Sequence, residues 1–303
     1  MSMEKRRWLR LALQVKGSVI PAVLPRSLFC GFLGLIVKLL LDAHYPVSLP
    51  FLASLIPNIV LGLLLVFRTN TAYDRFWEGR KFWGSIVNTV RNLARQIWLA
   101  VEEKEAGDRP EKVKALYLLV AFAIATKLHL RQEPIDPEIK DFLSPGKYKK
   151  LQRMNNPPLK VAFWIGDYLQ SQYQHNRLNI YQLTEMHKLL DNLVDAIGGC
   201  ERISKTPMPL AYAIHLKQLL LLYCLSLPFQ MVGQLGWGTA PVVVLISFTL
   251  FGIEEIGNEI ENPFGHDQND LPLDAICLVM HRNIDDLMSL EPTVHSVEKE
   301  SFF

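Results

Sequence analysis

Apolar runs alternate with charged stretches along this chain, and four of the runs are long enough to suggest membrane-spanning helices. They cover residues 27–41, 49–67, 210–232 and 238–253. Each is near or below the ~20 residues that a single helix needs to cross a bilayer. We therefore predict four helices that cross together, in a bundle whose members shield one another's polar groups.

A fifth apolar run, residues 115–126, has about a dozen residues, a length more typical of a buried helix than of a span. We assign it to a soluble, mostly helical connector at residues 68–209. Within the connector, a helical pattern begins near Leu178, and the Gly198-Gly199 pair predicts its end.

The distribution of positive charge predicts the orientation in the membrane. The links at residues 42–48 and 233–239 contain no lysine or arginine, whereas the connector and both tails contain many. By the positive-inside rule, the connector and both termini are cytoplasmic. The predicted parts are an N-terminal amphipathic helix with two spans (1–67), the helical cytoplasmic region (68–209), two further spans (210–256) and a C-terminal cytoplasmic segment (257–303).

Composition agrees with a membrane protein that also has a large water-exposed part. Of the 303 residues, 50% are hydrophobic and 20% are charged. The net charge is +2, and no basic stripe is interleaved with aromatic residues, so we expect no nucleic-acid partner. The four cysteines show no metal-binding spacing, which fits a reducing compartment.

The second apolar run passes into the charged stretch "FRTNTAYDRFWEGRKFWG", residues 67–84, without a proline between them. This predicts one helix that leaves the membrane and continues to about residue 100, with ion pairs between side chains one turn apart. On this helix Ile59, Leu63 and Phe67 share one face. In a monomer that face would be ordinary packing, but in a symmetric ring it would line a narrow apolar tube, which can gate by dewetting.

Three separated stretches carry a resemblance to a known family. The stretch at 67–84, together with "GGCERISKTPMPLAY" (198–212) and "ENPFGHDQNDLPLDAI" (261–276), resembles the prokaryotic branch of the bestrophin family. The resemblance implies an all-α, pentameric ion channel with four spans per subunit, a large helical cytoplasmic region and a pore along the five-fold axis.

The resemblance also implies two constrictions of the pore. The family's apolar neck falls on Ile59, Leu63 and Phe67, where it agrees with the helical spacing. The cytoplasmic aperture falls on Tyr181 or, one residue earlier, on Ile180.

The segment after the fourth run corresponds to the calcium clasp of animal bestrophins. The implied ligands are Glu259, Asn262, Asp267 and Asp270, and such oxygen groups suit Ca²⁺. Neutral residues replace acids at neighbouring positions, so we expect no required cofactor and treat Ca²⁺ as a candidate ligand only. Alternatively, Asp270 caps the following helix.

We therefore expect a homopentamer in membrane lipid, in the bacterial inner (plasma) membrane, that passes small anions such as chloride or bicarbonate. The alternatives are a sodium-conducting cation channel of the same fold, a non-conducting membrane adaptor and a membrane-bound metalloenzyme. An enzyme is disfavoured because Glu185 and His187 lack the Glu-x-x-His spacing of di-iron sites and no catalytic motif occurs.

The sign of the permeant ion depends on which charges face the axis, because an apolar neck carries none. Arg68 and Arg75 would favour anions if they faced it. Four glutamates would favour cations if they did so. These are Glu254, Glu255, Glu259 and Glu261.

Overall fold

The computed structural model describes residue 8 and residues 10–50, 55–135 and 137–291, which form helices joined by short links. The α-helices are α1 (Ile20–Asp42), α2 (Leu55–Ala100), α3 (Asp108–Arg131), α4 (Pro145–Leu151), α5 (Pro157–Gln174), α6 (Ile180–Lys205), α7 (Leu210–Leu235), α8 (Thr239–Glu261) and α9 (Leu273–Met288). Two 3₁₀ turns, Pro137–Phe142 and Gly236–Gly238, lie between them. No strand occurs in these ranges, so the predicted all-α class is confirmed.

Helix α2 is 46 residues long and joins the second apolar run to the charged stretch. Its one proline, Pro57, lies in the first turn, where the missing N–H has no intrahelical partner to lose. The prediction that this helix continues to about residue 100 is confirmed, since α2 ends at Ala100.

The chain divides into two compact units. The first contains Met1–Phe76 and Thr206–Asp270, and the second contains Trp77–Lys205 and Leu271–Phe303. Helix α2 contributes to both. Residues 1–7 and 9 of the predicted N-terminal amphipathic helix, part of the second apolar run (residues 51–54) and the end of the C-terminal segment (292–303) lie outside the described residues.

In the first unit, α1, α7, α8 and the start of α2 pack around one apolar core. Its buried members are Val23, Cys30, Leu61, Leu65, Leu216, Leu220, Cys224, Leu227, Val243 and Phe251. Helices α1 and α8 approach closely at two glycines of α1. A Cβ on Gly31 would lie 2.2 Å from Cγ2 of Val244, and one on Gly34 would lie 3.2 Å from Cα of Ala240. Such small residues are typical of helix contacts in membranes.

The two short links of the first unit lie at the same end of it. The N–H of Leu49 donates to the carbonyl of Phe229 at 2.7 Å. Lys38, which interrupts the first apolar run, forms an ion pair with Asp42 and lies 5.6 Å from the ring centroid of Trp237. These contacts place the charge of Lys38 at a helix end, which explains how an apolar run accommodates it.

By length and composition, three described stretches are candidate membrane spans: Ile20–Asp42, Asp108–Arg131 and Leu210–Glu261, the last formed by α7 and α8. They differ in burial. In α3, 78% of the apolar window is buried inside the structure, against 33% in each of the other two. Helix α3 is therefore covered by its own unit, as predicted for a buried helix.

In the second unit α3 is the central helix, packed by α5, α6 and α9. Its Lys127 is buried and donates to Glu138 at 2.7 Å and to Asp274 at 2.8 Å. Partial burial raises the pKa of Asp274, but hydrogen bonds from Lys127 and Arg131 outweigh this and hold it below its ordinary value. Paired carboxylates thus satisfy Lys127 and Arg131 of the central helix.

The predicted helix end at Gly198-Gly199 is wrong, because α6 continues to Lys205. A Cβ on Gly199 would lie 2.3–2.5 Å from atoms of the Phe82 ring. The glycine therefore lets an aromatic ring pack directly against the backbone of α6, and close approach rather than chain termination explains this residue.

Candidate functional site

The start of α2 has two sides with opposite surroundings. Leu61 and Leu65 are 5% and 2% exposed, whereas Ile59 and Leu63 are each 52% exposed and Phe67 is 60% exposed. Successive residues of a helix are ~100° apart, which puts the three exposed side chains on one face. The structure thus leaves the predicted neck residues together and uncovered within a single chain.

Two kinds of contact fix the rotation of this segment about its axis. Leu61 and Leu65 enter the core of the first unit, which stabilises the contact by about 2 kcal/mol for each side chain. The hydroxyl of Tyr212 on α7 also donates to the carbonyl of Leu64 at 3.0 Å. With the buried side held in this way, the exposed side is fixed as well.

Arg68, one residue after the apolar face ends, lies inside the first unit and is 2% exposed. Its Nη2 donates to Oδ1 of Asn258 at 2.6 Å and to Oε2 of Glu261 at 2.9 Å, both on α8. Gly257 makes room for it, since a Cβ there would lie 3.3 Å from Cγ of Arg68. Arg68 is therefore buried and paired within its own unit rather than exposed to water.

Glu261 binds a second part of the unit as well. Its Oε1 accepts from the N–H of Met208 at 2.8 Å, and its backbone carbonyl accepts from Nε of Arg75 at 3.2 Å. Arg75 also donates through Nη1 to the carbonyl of Thr206. Both arginines of α2 in this unit therefore bind the end of α8 and the link before α7.

The other three glutamates of α8 also have partners in the same unit. The pairs are Glu255 with Arg26 of α1 at 3.1 Å, Glu254 with Lys217 of α7 at 3.7 Å, and Glu259 with the side-chain amide of Asn269 at 2.6 Å. The four glutamates of α8 therefore form ion pairs or hydrogen bonds with neighbouring elements of the first unit.

The predicted ion pairs between side chains one turn apart on α2 do not form at Asp74 and Glu78. In the second unit, Glu78 pairs with Arg202 at 2.5 Å. Asp74 makes no hydrogen bond or ion pair within the described residues. Contacts with other helices, rather than local spacing, decide these pairs.

The predicted aperture residues lie at the start of α6 in the second unit. Ile180 is 49% exposed and Tyr181 is 81% exposed. A reciprocal capping arrangement begins the helix: the N–H of Gln182 donates to Oδ1 of Asn179 at 2.9 Å, and the N–H of Asn179 donates to Oε1 of Gln182 at 3.0 Å. The cap fixes both residues in the first turn, where they remain uncovered.

The predicted calcium residues lie at the end of α8 and in the loop that follows it. Oδ2 of Asp270 accepts from the N–H of Asp267 at 2.8 Å, and Oδ1 of Asn262 accepts from the N–H of Phe264 at 3.4 Å. The alternative role of Asp270 as a helix cap is wrong, because Pro272 occupies the N-cap of α9 and no side chain caps it. Among the described residues, no group of three His, Cys, Asp or Glu side chains is arranged to hold a metal ion.

Comparison with known proteins places this architecture in a family. The family model described as "Bacterial/Fungal Bestrophin protein" matches residues 1–286. The chain belongs to the bestrophin family. Two relatives named voltage-dependent anion channel-forming proteins are 66% identical in Nostoc sp. (98% of this chain, 96% of the relative) and 57% identical in Synechocystis sp. (96% and 95%).

Solved structures agree with this bestrophin fold. A crystal structure of a bacterial bestrophin homologue from Klebsiella pneumoniae matches with a TM-score of 0.80 at 28% identity, over 90% of this chain and 100% of that chain. A variant of that homologue with the mutation Y211A matches with a TM-score of 0.82 at 27% identity, over 89% and 100%.

Sequence reasoning missed the residues that hold the apolar face in place. Asn258 and Tyr212 bind α2 directly, as described above, and neither was a candidate. The sequence contained a signal for each residue. Tyr212 ends one of the quoted stretches, and Asn258 is a polar residue shortly after an apolar run, where polar side chains are often functional.

Proposed function

We propose that this chain forms a homopentameric anion channel in the bacterial plasma membrane, with both termini in the cytoplasm. Five copies would place α2 around a common axis. Ile59, Leu63 and Phe67 would form the neck, and chloride or bicarbonate would pass through it. The names of the Nostoc and Synechocystis relatives support anion conduction.

The observation that carries this proposal is the uncovered apolar face of α2. More than half of each neck side chain is exposed, although the opposite side of the same helix is buried. If this face of the helix contacted only water, polar or charged side chains would be expected on it. An apolar ring instead gives a constriction that excludes water when narrow and conducts when it widens.

The surroundings of this face suit assembly and a lipid environment. Val60 and Val66, at its edges, are 46% and 53% exposed and are placed for contacts between copies. Helix α1 exposes Phe29 and Phe32 by 61% and 60%. Exposed apolar patches of this kind mark contacts with membranes or with other proteins.

The second constriction is proposed at Tyr181, with Ile180 beside it in the same first turn of α6. Their exposure within one chain supports this placement. A cation channel of the same fold, a membrane adaptor and an enzyme remain the alternatives, and the relatives' names favour none of them.

Current through purified protein in planar bilayers tests the proposal. Leu63→Ala and Phe67→Ala shorten the neck side chains, so we expect a wider, more hydrated neck and a several-fold larger current at unchanged assembly. Leu245→Ala is the matched control, because Leu245 on α8 is 65% exposed and is not part of the neck. The absence of current in the wild type, or unchanged conductance in both neck variants, would refute the channel or the neck.

A further inference from the structure

The face of α2 that carries the neck residues continues beyond Phe67 with polar side chains. Asn70 and Asp74 follow Phe67 by three and seven residues, which keeps them on the same face of the helix. Both are exposed. If the neck face meets the axis, the first charged side chain below the neck on that face is the carboxylate of Asp74.

Asp74 differs from the other charges that α2 contributes to the first unit. Arg68 and Arg75 are turned toward α8 and bind Glu261, as described above. Asp74 has no hydrogen bond or ion pair among the residues that the structure describes. Among the described residues the carboxylate of Asp74 therefore has no partner, whereas Arg68 has the carboxylate of Glu261 and Arg75 has the carbonyls of Glu261 and Thr206.

We propose that Asp74 is a selectivity-determining residue, whose five copies form a ring of negative charge at the inner end of the neck and restrain anion passage relative to cations. This inference rests on the proposed pore. The apolar neck provides no charge with which to distinguish ions by sign, so an uncompensated ring of charge beside it shifts the ratio of anion to cation passage. A ring of one sign in a confined mouth raises the local concentration of the opposite ion.

The size of the effect follows from Coulomb's law. One unit charge about 4 Å from an ion in bulk water changes the energy of that ion by an amount equivalent to roughly a fivefold change in occupancy. Asp74→Asn keeps the shape of the side chain and removes the charge. Removing the charge raises anion occupancy and lowers cation occupancy, so we expect the anion-to-cation permeability ratio to rise by roughly fivefold to 25-fold.

The experiment measures reversal potentials of the purified channel in planar bilayers under a potassium chloride gradient. Asp74→Asn should move the reversal potential toward the chloride equilibrium potential, and Asp74→Lys should move it further. Both shifts should shrink at high salt, because mobile ions screen the ring. Asp141→Asn removes the same charge from an exposed position in the Pro137–Phe142 turn and should leave the reversal potential unchanged.

Three results would overturn the inference. An unchanged reversal potential in Asp74→Asn, at normal current, would show that the carboxylate does not face the permeant ions. Loss of the pentamer by Asp74→Asn, measured by size-exclusion chromatography, would show that Asp74 contacts a neighbouring copy instead. Absence of current in the wild type would remove the proposed pore itself, and the inference with it, and this result is distinct from the first two.

Discussion

The two sides of the α2 segment at residues 59–75 differ in burial and in side-chain partners, although they belong to the same few turns of helix. On the inner side, apolar side chains enter a core, and the guanidinium of Arg68 has hydrogen-bond partners on α8. On the outer side, Ile59, Leu63, Phe67 and Asp74 are exposed, and Asp74 has no hydrogen bond or ion pair among the described residues. The inner side thus fixes the helix, and the outer side is left exposed in the single chain.

This contrast shows why the charge of a residue beside the proposed neck does not by itself indicate its role. Arg68 directly follows the proposed neck residues in sequence, yet it is buried and paired within its own unit. Asp74 lies farther along the helix and keeps its charge exposed. The direction of each side chain, which burial reports, separates a structural charge from one that can act on ions.

The largest expected effect comes from breaking the inner side at Arg68. Arg68→Met leaves the carboxylate of Glu261 without its cation in a partly buried site, which we expect to destabilise the first unit by about 3 kcal/mol. Thermal unfolding in detergent, followed by size-exclusion chromatography of heated samples, measures the loss.

Arg26→Met is the matched control for that experiment. Arg26 also pairs with a glutamate of α8, but its side chain is 53% exposed, against 3% for Arg68. An exposed pair contributes at most about 1 kcal/mol. Equal losses of stability in the two variants would contradict the view that burial makes the Arg68 contact important.

The sequence predicted the outer side better than the inner side. Helical spacing alone places Ile59, Leu63 and Phe67 on one face, because that regularity is local. The partners of Arg68 lie 140 to 193 residues away in the chain, on α8 and in the link before α7. No local pattern encodes such contacts, so the sequence left the directions of Arg68 and Arg75 open.

The same limit explains the error at Gly198-Gly199. A glycine pair after a helical pattern usually marks an end, and the sequence shows nothing of the Phe82 ring that occupies the space beside Gly199. The all-α class and the length of α2 were predictable because apolar spacing and the absence of interior helix breakers are local properties.

A smaller effect is expected where α2 meets α6 in the second unit. Gly199→Ala puts a Cβ within 2.5 Å of the Phe82 ring, and the resulting overpacking should destabilise the protein by about 1–3 kcal/mol. The adjacent Gly198→Ala is an internal control, since no atom lies within 4 Å of its Cβ position. Gly198→Ala should be neutral or stabilising by up to about 1 kcal/mol.

Melting temperatures of the two glycine variants, and of Gly199→Ala combined with Phe82→Leu, measure this contact. The smaller leucine should restore part of the lost stability. If Gly199→Ala melts like the wild type, the close approach of Phe82 does not constrain α6. The contacts that hold α2 in place would then be those of the first unit.

The smallest expected effect concerns calcium at the loop that follows Glu261, the residue that anchors the inner side of α2. Glu259, Asn262, Asp267 and Asp270 are not arranged as a metal site in the single chain, and Oε2 of Glu259 and Oδ2 of Asp270 already accept hydrogen bonds from the protein, so we expect at most weak Ca²⁺ binding there. At a Ca²⁺ concentration equal to the dissociation constant, binding stabilises the folded state by only ~0.4 kcal/mol. For a chain of this size, that corresponds to a melting shift of about 1 °C.

Calcium titration of the wild type and of Asp267→Ala/Asp270→Ala measures the shift, with magnesium as the control. A shift that survives the double substitution would exclude this loop, and a shift of many degrees that it abolishes would make Ca²⁺ a strong ligand that stabilises the anchored side of α2.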